Sequence, residues 1–187
     1  MPEGTLHRTE DNGSMAVLEI IIEGDPRLRE KAKRIRHVDD SARKLAQDMY
    51  ETIPVADGVA VAAPQVGVTR RLIVIRVPAG YEEDDEGEIT YRLADPEIIR
   101  HHGIQVGIEG CLSIPGWIGE VPRYESITVK AIDMDNNPIR IKASGHLAVI
   151  FQHEIDHLDG ILFTDRVEDR STLRQVGERE YEEIAEG

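Results

Sequence analysis

Cysteine is almost absent from this sequence, since Cys111 is the one cysteine among 187 residues. A chain with a single cysteine cannot form an intramolecular disulfide, and a lone thiol is typical of proteins in reducing compartments. There it packs in the core, binds a metal or acts as a nucleophile. Cys111 is therefore a candidate functional residue.

Positive charge is also scarce, because 22 Lys and Arg residues face 36 Asp and Glu residues, for a net charge of −14. Such an acidic surface repels phosphate backbones and anionic lipids, so we expect no direct DNA binding and no membrane association. No apolar run approaches the length of a membrane span, and residues 1–15 lack the apolar segment of a secretory signal. We expect a cytoplasmic protein.

The length of the chain fits one compact domain. The polar residues 1–14 predict a flexible N-terminal arm, which leaves a single catalytic domain over residues 15–187. Its last segment, residues 168–187, is strongly acidic, and Ser171 is a candidate start for a final helix in it.

Apolar runs at residues 16–22 and 72–77 predict strands, and residues 127–133 and 139–142 flank the hairpin sequence DNNP. Helical spacing of apolar residues predicts one helix ending before Pro54 and a second over residues 145–160. Since the strands mostly do not alternate with helices, we predict an α+β fold. In it, antiparallel sheets pack around a central buried helix, the second one.

The second helix carries the sequence His153-Glu154-Ile155-Asp156-His157, which matches H-E-x-x-H. Residues four apart lie on one face of a helix, so both imidazoles can bind one metal ion. Glu154 lies beside them, where it can act as general base on a water molecule. Because the helix is apolar around most of its circumference, we expect it to be buried, and a metal would satisfy its polar groups.

A catalytic metal usually has three protein ligands, and the sequence offers three candidates for the third. A third histidine later in the motif is excluded, because that position is Phe163. Glu178 in the acidic tail would serve in a zinc peptidase, and Cys111 beside Gly110 would serve as a thiolate ligand. The spacing alone leaves these two open.

Three motifs in the same order resemble the peptide deformylase family. They are GVAVAAPQ at residues 58–65, EGCLS at residues 109–113 and QHEIDHLDG at residues 152–160. The resemblance extends over roughly residues 16–168, and three ordered motifs are far more specific than one. It implies a hydrolase that removes the formyl group from N-formylmethionine at the start of new polypeptides, releasing formate.

The resemblance also implies roles for individual residues. Cys111, His153 and His157 would bind the metal, with solvent as the fourth ligand, and Glu154 would be the acid and base. One thiolate and two imidazoles suit Fe(II) as well as Zn(II), so the ligands do not choose the metal. The resemblance implies Fe(II) in the cell, often replaced by Zn(II), Ni(II) or Co(II) in purified protein. The substrate would be a formyl-methionyl nascent peptide, met at the ribosome.

The remaining implied contacts concern the substrate. The Gln65 amide and the backbone N–H of Leu112 would bind the oxyanion. The backbone around Val59, Ala60 and Gly110 would pair with the extended peptide. The pocket for the methionine side chain would be lined by Val149 and Ile150.

One residue departs from the family pattern. The first motif of the family is G-x-G-x-A-A-x-Q, and Ala60 stands where that motif has its second glycine. An extended backbone at this position would tolerate alanine, whereas a positive φ would not. We expect the extended backbone.

Two other functions compete with this interpretation. One is a zinc endopeptidase with a glutamate ligand from the tail, and the other is a catalytically silent metal-binding or ribosome-associated module. Intact Glu154 and Gln65 disfavour the silent module, since a structural site needs no base. We assign no role to His101, His102 or His146, and we expect Trp117 on a loop near the cleft mouth.

Overall fold

The computed structural model of the protein describes residues 16–77 and 87–177. The proposed N-terminal arm, most of the acidic loop after β2, and residues 178–187 of the tail lie outside the described residues. Eight strands occur in the described part: β1 Ala60–Ala62, β2 Leu72–Val77, β3 Ile89–His102, β4 Gln105–Gly110, β5 Trp117–Arg123, β6 Ser126–Ile132, β7 Pro138–Ser144 and β8 Arg174–Gln175.

Three α-helices and four short 3-10 helices accompany the strands within residues 16–77 and 87–177. The α-helices are α1 Asp40–Thr52, α2 Gly145–Leu158 and the single turn α3 Phe163–Arg166, and the 3-10 helices are Pro26–Arg29, Ile53–Ala56, Ala63–Val66 and Arg170–Thr172. None of the helices in the described ranges is long and apolar enough to cross a membrane.

The strands form two antiparallel sheets, so the class is α+β as predicted. The larger sheet has the order β1-β2-β3-β6-β7, and the smaller has the order β4-β5-β8. The predicted hairpin joins β6 and β7, with Ile132 opposite Pro138. In the described chain β1 and β4 are edge strands, each paired on one side only.

Strand β2 explains why the larger sheet carries a helix on each face. Ile73 and Ile75 pack with Phe151 and other residues of α2. Leu72 and Val74 point the other way and pack in the cluster that contains α1. A strand buried on both faces is continuously apolar rather than alternating, which accounts for the run LIVI.

Local sequence signals set the ends of both long helices. The Asp39 side chain accepts a hydrogen bond of 2.8 Å from the Ala42 N–H, which caps α1, and Pro54 follows its end. Gly160 follows α2 with φ +73°, and a Cβ there would lie 2.5 Å from the backbone oxygen of Arg29. Only glycine fits this position without strain or displacement of the backbone.

The prediction of a buried strand over residues 16–22 is wrong. These residues are in no strand, and they are half-buried or exposed. Their backbone N–H groups have partners outside any strand. The Leu18 N–H donates to Thr52 Oγ1 at 2.9 Å, and the Ile21 N–H donates to the backbone oxygen of Gln65 at 2.8 Å. The segment is held across loops instead of beside a strand.

Two predictions near the smaller sheet also need correction. Trp117 begins strand β5 rather than lying on a loop, and it pairs with Gln175. The helix predicted from Ser171 is a 3-10 turn followed by β8, because the free side of β5 offers backbone partners to Arg174 and Gln175.

Candidate metal centre and active site

Cys111 and the two motif histidines meet although they are far apart in sequence. Cys111 directly follows β4 and is 4% exposed, while His153 and His157 lie one turn apart on α2. One ligand atom from each of the three lies within 4.8 Å of the others. The Cys111 sulfur lies 3.3 Å from Nε2 of His157.

The chemistry of this buried trio fits a divalent metal. Nδ1 of His157 is buried and has no hydrogen-bond partner among the described residues. Burial, followed by the charge of His153, holds the pKa of His157 well below 6.5, so its imidazole is neutral and has a free lone pair. One thiol and two imidazoles are typical ligands of a catalytic transition metal.

Glu154 lies in the same helix, between the two histidines in sequence. It is 4% exposed, and its Oε2 atom has no hydrogen-bond partner among the described residues. Burial raises the pKa of Glu154 to about 7, although the charge of His153 acts in the opposite direction. A carboxyl group with this pKa can both accept and return a proton near neutral pH.

A buried ionic network supports the histidines. Glu109 Oε2 lies 2.8 Å from Nδ1 of His153, and Arg123 binds both oxygens of Glu109 at 2.6 and 3.0 Å. Arg123 also donates to Asp156 at 2.6 Å, and Arg166 binds the same carboxylate at 2.7 Å. These bonds fix the ring of His153, so that its other nitrogen faces Cys111 and His157.

The network also sets the charges of its members. Burial alone would raise the pKa of Glu109, but hydrogen bonds from Arg123 and His153 lower it to about 2. Burial alone would likewise lower the pKa of His153, but hydrogen bonds with Cys111 and Glu109 raise it well above 6.5. Glu109 is therefore a permanent anion beside His153.

Gln65 lies within the 3-10 helix Ala63–Val66, 46 residues before Cys111. Its side-chain oxygen accepts a 2.8 Å hydrogen bond from the Ala62 N–H. This bond leaves the amide nitrogen directed at Ser113 Oγ, at 3.3 Å, and at the Cys111 sulfur, at 3.6 Å. The buried amide is thus oriented as a donor into the site.

A cleft connects these groups with solvent, and every predicted site residue except His157 lines it. The lining includes Val59, Ala60, Gln65, Gly110, Cys111, Leu112, Val149, Ile150, His153 and Glu154. Ala60 is in β1 and is not among the described residues with positive φ, which agrees with an extended backbone. The edges of β1 and β4 therefore face one cleft.

Sequence reasoning missed several residues of the site. Glu109, Ile108 and His146 also line the cleft, and Arg123 lies beneath it. The sequence carried a signal for Glu109, which is part of EGCLS, but none for Arg123. His101 and His102 are exposed at the end of β3.

Comparison with known proteins identifies the family. The family model described as polypeptide deformylase matches residues 17–172 of this chain. A peptide deformylase of Thermomicrobium roseum is 58% identical over 172 residues, which cover 92% of this chain and 97% of that protein. The chain belongs to the polypeptide deformylase family. This deformylase is a metal-dependent hydrolase of protein biosynthesis, and it removes the formyl group from the amino terminus of new polypeptides.

Solved deformylase structures agree in fold. The enzyme of Synechococcus elongatus, in complex with actinonin, is 41% identical with a TM-score of 0.74, covering 83% of this chain and 81% of that one. A class I type b deformylase of Acinetobacter baumannii, with Met-Ala-Ser bound, is 31% identical with a TM-score of 0.75, covering 82% of this chain and 100% of that one.

The family membership decides between the competing functions. The endopeptidase and silent-module hypotheses are both wrong, because the chain is a deformylase. The rival ligand of the endopeptidase hypothesis, Glu178, lies outside the described residues.

Proposed function

We propose that Cys111, His153 and His157 hold the metal of this deformylase and that Glu154 transfers the proton. The convergence of the sulfur and two imidazoles within 4.8 Å is the observation that supports this assignment. In this proposal α2, which carries both histidines and packs against the larger sheet, is the central helix of the fold.

When bound, the ion supplies Lewis acidity, which activates water and polarises the formyl carbonyl. Glu154 accepts a proton from the attacking water and returns it to the amine nitrogen as the C–N bond breaks. The formyl group leaves as formate, and the methionine keeps a free amino terminus. The buried, unpartnered Oε2 of Glu154 suits this transfer, because no protein donor competes for it among the described residues.

The oxygen of the formyl group gains negative charge as water attacks. Gln65 and the backbone N–H of Leu112 would donate hydrogen bonds to it, and both residues line the cleft. The bond from Ala62 fixes the amide of Gln65 in advance, so little reorganisation is needed during the reaction. Donors arranged in this way stabilise the transition state more than the substrate.

The peptide would bind as an extended segment between the edges of β1 and β4. Val59 and Ala60 would contact it from one side and Gly110 from the other, by backbone hydrogen bonds that do not depend on the sequence of the peptide. Val149 and Ile150 of α2 would line the pocket for the methionine side chain. The bound Met-Ala-Ser of the Acinetobacter baumannii enzyme is a peptide of the same kind.

We further propose Fe(II) as the metal in the cell, the cytoplasm as the location and nascent chains at the ribosome as the place of encounter. Residues 15–187 would form one catalytic domain, with residues 1–14 as a flexible arm and residues 168–187 as its acidic end. An anaerobic comparison of Fe(II), Zn(II), Ni(II) and Co(II) enzyme would test the metal. The Fe(II) enzyme should be the most active, and it should lose activity in air, because a bound thiolate is sensitive to oxidation.

Formate release from formyl-Met-Ala-Ser tests the site assignment. The wild type with Fe(II) should release formate, and Glu154→Gln should lower kcat by roughly 10²- to 10⁴-fold with unchanged metal content. Normal kcat in Glu154→Gln would show that another group transfers the proton.

A further inference from the structure

Three exposed aliphatic residues follow one side of β4 and the residue before it. Ile104, Val106 and Ile108 are 63%, 62% and 48% exposed. Alternate residues of an extended chain project to the same face, so we call these three the apolar strip. The two residues between them are not apolar side chains on this face. The Gln105 side chain donates to the backbone oxygen of Gly145 at 2.9 Å, and Gly107 carries no side chain.

The apolar strip is continuous with the active site. Ile108 lines the cleft together with Gly110 and Cys111. Val106 and Ile104 lie two and four residues farther back along the chain, about 7 and 13 Å from Ile108 at the rise of an extended strand. The strip therefore leads from the cleft out to solvent.

The backbone beside the apolar strip can accept another strand. In the described part of the chain β4 pairs with β5 alone, so its second edge leaves backbone donors and acceptors unpaired. A Cβ built at Gly107, on the face opposite the apolar strip, would meet no atom within 4 Å, so that face of β4 is open as well. An extended peptide can add to such an edge by backbone hydrogen bonds, while side chains on one face give selectivity.

We propose that the apolar strip binds the nascent chain beyond its first three residues, as a strand antiparallel to β4. This inference rests on the proposed site, which places the formyl group at Cys111. Because β4 runs toward Cys111, a substrate that begins there and leaves along β4 runs in the opposite direction. Substrate residues roughly four to eight then lie beside Val106 and Ile104.

The substrate is the favoured occupant because the strip is continuous with the cleft. Strand β4 reaches from the cleft back to Gln105, and Ile104 is the residue just before it. Side chains of an extended peptide alternate between two faces. Only every second substrate residue therefore faces the apolar strip, and the enzyme selects for apolar residues at positions of one parity.

Three formylated peptides test this inference. One is formyl-Met-Ala-Ser, and the other two are octapeptides that continue it with alternating Val and Ser, with Val at even positions in one and at odd positions in the other. The wild type should give kcat/KM values that differ between the octapeptides by roughly three- to tenfold, as expected for partly enclosed apolar contacts.

The double variant Ile104→Thr with Val106→Thr keeps β-branched side chains but makes the strip polar. It should treat both octapeptides alike and hydrolyse the tripeptide at the wild-type rate. Val17→Thr is the matched control, since Val17 is 57% exposed and lies outside β4, and it should behave as the wild type.

Equal kcat/KM for the two octapeptides in the wild type would overturn the inference, and so would a preference that persists in the double variant. If sedimentation shows that the wild type is a dimer and the double variant is a monomer, the apolar strip joins two copies of the chain, and this result also overturns the inference. These results leave tripeptide hydrolysis intact, whereas a wild type that cannot hydrolyse the tripeptide would overturn the site assignment itself.

Discussion

Oε2 of Glu109 lies 2.8 Å from Nδ1 of His153, and Arg123 holds the same carboxylate from its other side. The carboxylate accepts the Nδ1 proton and so fixes the ring, and a metal can bind the other ring nitrogen of His153 once it displaces the proton there. Glu109 therefore acts through His153, as a positioning residue two positions before Cys111 in the chain.

The first prediction concerns this positioning role. Glu109→Gln keeps the shape of the side chain but removes its charge, so we expect metal affinity to fall about 10- to 100-fold. A competition titration with a fluorescent chelator would measure it. Glu19→Gln, at an exposed position, is the control and should leave metal affinity unchanged. Equal affinity in both variants would mean that Glu109 has only a structural role.

A second prediction concerns the amide of Gln65. Gln65→Glu retains an oxygen for the Ala62 N–H but replaces the donor that faces Cys111 with an acceptor. We expect kcat to fall by roughly 10²- to 10³-fold with little change in KM, because the lost bond forms mainly in the transition state.

Steady-state kinetics with the formyl-Met-Ala-Ser peptide would test this, and Gln175→Glu in the exposed strand β8 serves as the control. A variant with raised KM and normal kcat would show instead that Gln65 binds the substrate in its ground state.

A third prediction concerns pH and the cap of α1. Hydrogen bonds from Ser41 and from the backbone of Ala42 lower the pKa of Asp39 to about 2, from 3.8 in a free side chain. Its charged form therefore stabilises the fold above pH 3.8, and this contribution is lost as the pH falls toward 2.

Asp39→Asn keeps a capping oxygen without the charge. The difference in unfolding free energy between wild type and variant should be largest near neutral pH and should vanish toward pH 2. Urea unfolding at several pH values measures it, and a difference that does not depend on pH would contradict the assignment of the cap charge.

A fourth prediction concerns Gly160, which combines φ +73° with close contact to the backbone of Arg29. Gly160→Ala should lower the free energy of unfolding by about 1–3 kcal/mol, because both the backbone conformation and the neighbouring chain resist a Cβ. In Gly87→Ala the Cβ meets no atom within 4 Å, so this control should be near neutral. Thermal unfolding of both variants would decide, and equal stability would contradict the contact.

The sequence predicted the elements whose signal is local. Helical spacing located α2, and the run LIVI located β2, because burial patterns are written within a few residues. The prediction that Cys111 rather than Glu178 binds the metal needed the family resemblance. Cys111 and His157 are 46 residues apart, and no local pattern in the sequence indicates that they are in contact.

Long-range partners explain what the sequence did not reveal. Residues 16–22 have the composition of a strand, but pairing needs a neighbouring strand, and the fold places loops there instead. Arg123 is unremarkable in its local sequence, yet it joins Glu109 and Asp156, which are 14 and 33 residues away. Such an ionic network is defined only when the chain has folded.

The segment of residues 16–23 connects two parts of the candidate site through backbone hydrogen bonds. Its Ile21 N–H donates to the backbone oxygen of Gln65, and its Glu23 N–H donates to the backbone oxygen of Ser113 at 2.7 Å. The segment thus connects the two parts of the chain that carry the proposed oxyanion donors, Gln65 and Leu112. An affinity tag or a deletion that disturbs this segment should lower turnover without contacting the proposed metal ligands, so the position of a purification tag can change the measured kcat.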